Sequence, residues 1–255
     1  MDYIRKFDYI STMNENDNYK INNGHTNVCF ITSCRGLVLS IYLDIICKHI
    51  PYFINWQLGK NVIAVHIVVQ KFNQPTQNMK LAIENADIII CECIKNYTYI
   101  NTLKTCEDNI FKKFNIKSSA KLHMIPNLSI AYYINDIKYL YSDDFINFTE
   151  DMISTLKQKN LEKLIYWCKY YDYTETAIYI ENNINIKRLF FTHNHPMTEL
   201  LIILFKELVN KAFNYNLTYE CLNYLKKVRI LDSNNDNKTL LVDLDYKLGM
   251  DKNIN

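Results

Sequence analysis

The sequence predicts an α/β fold in which a mostly parallel sheet is flanked by helices. Short β-branched apolar runs alternate with helical patterns along most of the chain, and strands buried on both faces are typically continuous apolar runs of this kind. The chain contains only four Gly and four Pro, which excludes collagen-like, linker-rich and most turn-rich all-β designs. The stretch from about 143 to 180 is helical throughout, which indicates a helical insertion in the second half.

The elements follow from the period of the apolar pattern, which is two in strands and 3.6 in helices. Strands are predicted at Val28–Thr32, Val62–Val69, Asp87–Cys91, Lys121–Ile125 and Lys187–Phe191. Helices are predicted at Gly36–His49, Gln77–Glu84, Thr102–Phe114, Phe148–Lys159, Leu161–Lys169, Met197–Phe213 and Tyr219–Lys227. We expect residues 1–26 to form a polar leader, 27–230 a single α/β domain and 231–255 a peripheral segment.

Composition narrows the class of protein further. The 255 residues carry 29 Lys+Arg and 27 Asp+Glu, so the net charge is +2, which argues against a nucleic-acid partner. The eight cysteines are scattered, mostly through apolar runs, as expected for buried reduced thiols in a cytosolic protein. There is no apolar run of the ~18–20 residues that a membrane span requires, and no signal peptide is evident at the start. We therefore expect a cytoplasmic protein without a membrane span, and its oligomeric state stays open.

The first candidate site is the turn Ser33-Cys34-Arg35, which lies between a strand ending at Thr32 and a helix predicted from Gly36. Ligands of open α/β sheets bind at the carboxyl ends of strands, beside helix N-termini. A Cys there meets unpaired N–H groups and the positive end of the helix dipole, which lower a thiol pKa and can stabilise an oxyanion. Arg35 adds a charge that could hold a phosphate or carboxylate. Alternatively, Ser33 only caps the helix and Cys34 packs inward.

The second candidate site is the stretch Thr192-His193-Asn194-His195-Pro196, between a short strand and a long apolar helix. Pro196 suits the first helical position, which places His195 at the N-cap. The dipole would keep a histidine there neutral, which is the form that a general base needs. The alternative is a surface turn whose histidines only cap a helix.

Other chemistry has weaker support in the sequence. His193 and His195 share the HxHP pattern with JAMM-type isopeptidases, but the Ser and Asp that complete that zinc motif are missing, so no metal is expected. The patterns GxGxxG, GxxxxGK[ST] and GxSxG are absent, which disfavours dinucleotide binding, P-loop chemistry and an ordinary α/β-hydrolase. The stretch beginning at Glu92 follows a predicted strand at its carboxyl end and could line the same cleft as Cys34.

The two candidate segments, in this order, resemble the WcbI family of polysaccharide-biosynthesis enzymes. Members of that family carry a Gly-Asn-Cys-Gln turn after a strand and, near the C-terminal side, a Thr-x-Asn-His-Pro motif before a long helix. Here Cys34 and Asn194-His195-Pro196 match, whereas Thr32, Ser33 and Arg35 replace the Gly, Asn and Gln. The similarity runs from about 27 to 213.

The resemblance implies an SGNH- or flavodoxin-like core, a coenzyme A site and acetyl transfer from acetyl-CoA to a carbohydrate acceptor. It places Cys34 as nucleophile and His195 as base, with Asn194 beside it in the motif. On charge and placement alone, Arg35, Lys187 and Arg188 are candidates to hold the coenzyme phosphates, and Ser33 and His193 are also expected to contact the coenzyme. Two alternatives stay open, a glycan esterase that uses water as acceptor and a catalytically silent binding or structural protein.

Overall fold

A computed structural model describes residues 3–7, 26–49, 62–68, 76–92, 114–141, 147–192 and 195–232. The chain divides into two compact units, one made of residues 1–125 and 208–242 and the other of residues 126–207 and 243–255. The single domain that the sequence predicts over 27–230 includes residues of both units, since residues 126–207 of the second unit lie within it.

The elements are, in chain order, β1 Tyr3–Phe7, β2 Thr26–Thr32, α1 Cys34–His49, β3 Val62–Val68, α2 Gln77–Glu84, β4 Ile88–Glu92, β5 Lys121–Ile125 and α3 Ile134–Leu140. They continue as α4 Glu150–Tyr170, α5 Thr174–Asn183, β6 Phe190–Thr192, β7 His195–Pro196, α6 Thr198–Phe213, α7 Tyr219–Lys227 and β8 Val228–Asp232. No helix among the described residues is both long enough and apolar enough to cross a membrane.

The core of the first unit is a four-stranded sheet in the order β3-β2-β4-β5. Every neighbouring pair in it is parallel, which confirms the predicted α/β class. Its order reverses between β2 and β4, because the chain goes from β2 to one neighbour and then returns to the other side. A reversal of this kind leaves a crevice at the carboxyl ends of the two strands, where α/β proteins bind ligands.

Strands β2 and β4 are buried on both faces, as their apolar sequences require, whereas the edge strand β5 is only partly buried. One face forms an apolar cluster with α2, built from Cys29, Ile31, Val65, Ile67, Met79, Ala82, Ile83, Ala86, Ile89, Cys91 and Phe114. Because side chains alternate along a strand, Thr32, His66 and Glu92 belong to the opposite face. The first turn of α1 lies against Thr32 on that face, and the described side chains of α1 are buried except that of Asp44.

Several predicted boundaries are wrong. Helix α1 begins at Cys34 rather than Gly36, and the two helices predicted over 148–169 form the single helix α4. The strand predicted from Lys187 begins only at Phe190, because the backbone N–H of Lys187 still donates to the carbonyl of Asn183 after α5. The helix predicted over 102–114 lies outside the described residues, apart from its last position.

Other elements were not predicted. Helix α3 is short and carries too few apolar positions for a clear helical period, and most of α5 lies in the stretch predicted as helical but was given no bounds of its own. Strands β1 and β8 pair in parallel over five residues each, although β1 lies in the stretch that the sequence assigns to a polar leader.

Candidate functional site

A buried polar cluster lies where β2 and β4 end, at the reversal of strand order. Ser33 directly follows β2 and precedes α1, and Glu92 is the last residue of β4. The backbone N–H and the Oγ hydroxyl of Ser33 both donate to Glu92 Oε2, at 2.7 Å and 2.5 Å. A side chain 59 positions further along the chain therefore fixes the turn between β2 and α1.

Arg35 completes this cluster. Its Nη2 lies 2.6 Å from Glu92 Oε1, and its Nε donates to Ser33 Oγ at 3.0 Å. The side chains of Arg35 and Glu92 are 9% and 2% exposed, so the pair is buried. The positive end of the α1 dipole also favours a carboxylate at this position. Glu92 thus occupies the N-terminus of α1 as an internal anion.

His66 supports the same turn from β3. Its Nε2–H donates to the Ser33 carbonyl at 3.2 Å, and that carbonyl also accepts the Gly36 N–H at 3.0 Å. Burial lowers the pKa of His66 to about 4, against the smaller opposing effect of its backbone hydrogen bonds to Ser33 and Thr32. His66 is therefore neutral near pH 7. Within the described ranges, His66 Nδ1 and Thr32 Oγ1 are buried and have no hydrogen-bond partner.

Gly36 allows α1 to begin this close to the sheet. A Cβ at Gly36 would lie 1.8 Å from Thr32 Oγ1 and 2.2 Å from Thr32 Cβ. No side chain fits in that space, so the close approach of helix and strand requires glycine. The candidate turn is therefore fixed by Glu92, His66 and the packing of Gly36 on Thr32. Cys34 is the first residue of α1, and its backbone lies between Ser33 and Arg35.

The second candidate segment lies in the other unit, and its predicted geometry is wrong. His195 and Pro196 form β7, which pairs antiparallel with β6. The Met197 N–H donates to the Leu189 carbonyl, and the first helical bond to Met197 comes from Leu201. Helix α6 therefore begins at Thr198, and His195 is not its N-cap. Because the effect of a helix dipole is confined to the first turn, it gives no reason for His195 to be neutral.

Lys187 and Arg188, the two cations predicted to contact the coenzyme, both make contacts within the second unit. Lys187 Nζ donates to Glu199 Oε2 at 2.5 Å and lies 5.0 Å from the centre of the Tyr179 ring. Arg188 donates from Nε and Nη2 to the carbonyls of Phe190 and Phe191, at 2.8 Å and 2.7 Å. Both cations, like Arg35, thus already have partners inside their own unit.

The predicted site residues are divided between the two units, and two of them lie outside the described residues. Ser33, Cys34 and Arg35 come together at the start of α1 in the first unit, whereas Lys187, Arg188 and His195 belong to the second. His193 and Asn194 lie outside the described residues. No group of three His, Cys, Asp or Glu side chains in the described part of the chain is arranged to hold a metal ion.

Two residues of the cluster carry only a faint signal in the sequence. His66 is the single polar residue of the apolar strand VIAVHIV, and Glu92 ends the apolar run IIICE. A charged or polar side chain in a strand buried on both faces needs a partner, because burial without one is costly. That rule marks both residues as unusual, but it does not identify Ser33 and Arg35 as their partners.

Comparisons with known proteins identify no relative of this chain: no family profile, no curated protein and no solved structure matches it.

Proposed function

We propose that this protein is an acyl-CoA-dependent acetyltransferase with a carbohydrate acceptor, and that its site is the N-terminus of α1. The observation that carries the proposal is the position of Cys34. It is the first residue of a helix that starts where the order of a parallel sheet reverses. The acetyl donor and the carbohydrate acceptor are proposed from the resemblance to the WcbI family.

The start of α1 offers what acyl transfer needs. A thiol at a helix N-terminus ionises more readily, and the backbone N–H groups of the first turn can donate to an oxyanion. In one route the acceptor hydroxyl attacks the thioester directly. In the other, the Cys34 thiolate attacks the acetyl carbonyl, the C–S bond to the coenzyme breaks and coenzyme A leaves as a thiolate, after which the acceptor takes the acetyl group from Cys34.

On the resemblance to the WcbI family, His195 is the proposed base, which takes the proton of either the acceptor hydroxyl or the Cys34 thiol, and Asn194 is the catalytic residue proposed beside it in the motif. His66 is unsuited to that role, because a pKa of about 4 leaves little driving force for taking a proton at neutral pH. Coenzyme phosphates are proposed to contact Lys187, Arg188, His193 and Ser33. Lys187 is also paired, with Glu199, but that pair is 40% and 48% exposed and costs little to open. The pair of Arg35 and Glu92 is buried and costly to break, so we assign Arg35 to holding the turn rather than to a phosphate.

One observation favours the alternative of a catalytically silent protein. Ser33, Arg35 and Glu92 bond to one another, and Glu92 occupies the place at the start of α1 where a ligand anion would bind. A scaffold that had lost its ligand could keep such a closed cluster. This alternative predicts that Cys34 and His195 matter only for stability.

The experiment that tests the proposal measures coenzyme A release from acetyl-CoA with a panel of mono- and oligosaccharides. We expect release that depends on the acceptor. Cys34→Ala would lose activity by at least ~10²-fold on the covalent route, and His195→Ala would lose ~10²–10⁴-fold. Cys47→Ala is the matched control, since Cys47 lies in the same helix near its other end. Acetyl-ester hydrolysis without coenzyme would indicate the esterase instead, and no turnover of either kind would indicate the silent protein.

A further inference from the structure

We infer that Glu92 is a positioning residue for Cys34, which it controls through Ser33 and Arg35. This inference rests on the proposed function for its catalytic meaning. The Glu92 carboxylate fixes the turn that contains Cys34, and it also balances the charge of the Arg35 guanidinium, which follows Cys34 in the chain.

The contacts of Glu92 divide between these two tasks. Oε2 accepts the Ser33 N–H and the Ser33 hydroxyl, which holds the residue before Cys34. Oε1 accepts from Arg35 Nη2, which holds the residue after it. The Arg35 Nε bond to Ser33 Oγ closes the ring of contacts, so one side chain bonds to both chain neighbours of Cys34, to the backbone and hydroxyl of Ser33 and to the guanidinium of Arg35.

The charges around this turn make a definite prediction about the thiol. At an effective dielectric constant of about 20, a unit charge within about 10 Å of a titrating group shifts its pKa by roughly one unit or more. The native pair of Arg35 and Glu92 is neutral as a whole, so its two effects nearly cancel. Removing the carboxylate alone leaves a cation that favours the thiolate, and removing the guanidinium alone leaves an anion that opposes it.

Few other groups in the described cluster can contribute to such a shift. Ser33 does not titrate, and His66 stays neutral over the range in which thiols titrate, because burial lowers its pKa to about 4. The N-terminal dipole of α1 acts equally on every variant. A change in the ionisation of Cys34 on substitution at 35 or 92 is therefore a direct measure of the charge pair.

The test is the pH dependence of iodoacetamide alkylation at Cys34, followed by peptide mass spectrometry. The variants are Glu92→Gln, Arg35→Gln and the double variant, with Lys80→Gln as a charge control because Lys80 is exposed on α2. We expect the midpoint to fall by about one unit or more in Glu92→Gln, which gives roughly tenfold faster labelling at neutral pH, and to rise by as much in Arg35→Gln. In the double variant and in Lys80→Gln, the midpoint of the pH dependence should stay within about half a pH unit of the wild-type value.

Each sample carries its own control for folding. Cys29 is 1% exposed and burial raises its pKa to about 12, so it stays unlabelled while the sheet is intact. Sucrose in the buffer stabilises the folded state of weak variants. Shifts of the same sign in both single variants, or no shift in either while Cys29 stays protected, would overturn the inference. If the two single variants shift in opposite directions but the protein releases no coenzyme A from acetyl-CoA, the electrostatic role of Glu92 stands and the proposed acetyltransferase activity is rejected.

Discussion

Two helices of this protein begin against a buried glutamate from a distant part of the chain, α1 against Glu92 and α5 against Glu207. Glu207 Oε1 accepts the Glu175 N–H at 2.9 Å, and its Oε2 accepts the N–H and hydroxyl of Thr176 at 2.8 Å and 2.6 Å. Tyr173, which precedes α5, makes no capping bond with its side chain. In both units a carboxylate thus satisfies N–H groups that a helix start leaves open.

The two sites differ in how the charge of the carboxylate is balanced. The bonds to Glu207 come from neutral donors, whereas Glu92 also pairs with the Arg35 guanidinium. Burial, and secondly Glu207, raises the pKa of Cys168 to about 12 and raises that of Tyr173 as well. Burial around the start of α5, with a smaller effect of the Glu207 charge, therefore opposes ionisation of these two groups. At α1 the Arg35 guanidinium balances the charge of Glu92, and this difference supports our proposal of α1, rather than α5, as the chemical site.

The largest expected effect is a difference in stability between variants of the two glutamates. Glu92→Gln should lower the free energy of unfolding by about 3–5 kcal/mol, because it removes the carboxylate that balances the buried Arg35 charge. Glu207→Gln should cost only about 1–3 kcal/mol, since neutral donors lose part of their acceptor. Urea unfolding of both variants at neutral pH measures the difference, and equal losses would remove the distinction drawn between the sites.

A second substitution tests how closely α1 must approach its strand. Gly36→Ala should destabilise by about 3 kcal/mol, because the added Cβ overlaps Thr32 and either the helix or the strand must shift. Ser40→Ala is the matched control in the same helix. It removes only a hydroxyl that donates to the Leu37 carbonyl, so its cost should stay below about 1 kcal/mol. Similar midpoints of thermal unfolding for the two variants would show that α1 can move away from Thr32.

The third effect is a pH dependence that arises at α1. The pKa of His66 is about 4 in the folded state and about 6.5 unfolded, so the unfolded chain binds the proton first as the pH falls. The stability that neutral His66 contributes is complete above about pH 6.5 and is lost between there and pH 4. Between pH 7.5 and 5 the loss amounts to ~2 kcal/mol.

His66→Gln keeps a donor for the Ser33 carbonyl but cannot titrate. Between pH 7.5 and 5 the free energy of unfolding should fall in both proteins, but the fall should be ~2 kcal/mol smaller in the variant than in wild type. Parallel pH profiles for the two proteins would contradict a buried neutral His66.

The sequence predicted those parts of the fold that depend on local pattern. The apolar runs that become β2 and β4 are nearly continuous because both faces of these strands are buried. Helices α2 and α7 begin and end where their apolar period does. The start of α6 was misplaced, because the pairing of Pro196 with Phe190 is a tertiary contact that outweighs the preference of proline for a first helical turn.

The candidate site was predictable only in part. The turn at Cys34 follows from a strand, a polar break and a helix, all visible in the local sequence. The bonds from Glu92 and His66 join residues 59 and 33 positions apart, and no periodicity encodes the register of strands that creates them. Arg35 therefore looked like a free cation in the sequence, although in the fold it is half of an ion pair.

The central claim, a coenzyme A site that serves Cys34 at the start of α1, is tested most directly by thermal unfolding with increasing coenzyme A. The account predicts a saturable rise in melting temperature, since a ligand at a hundred times its Kd stabilises the native state by ~2.7 kcal/mol. The rise should persist in Cys34→Ala, which keeps the backbone N–H groups of the first turn. An unchanged melting temperature at millimolar coenzyme A, in both wild type and variant, would contradict the claim.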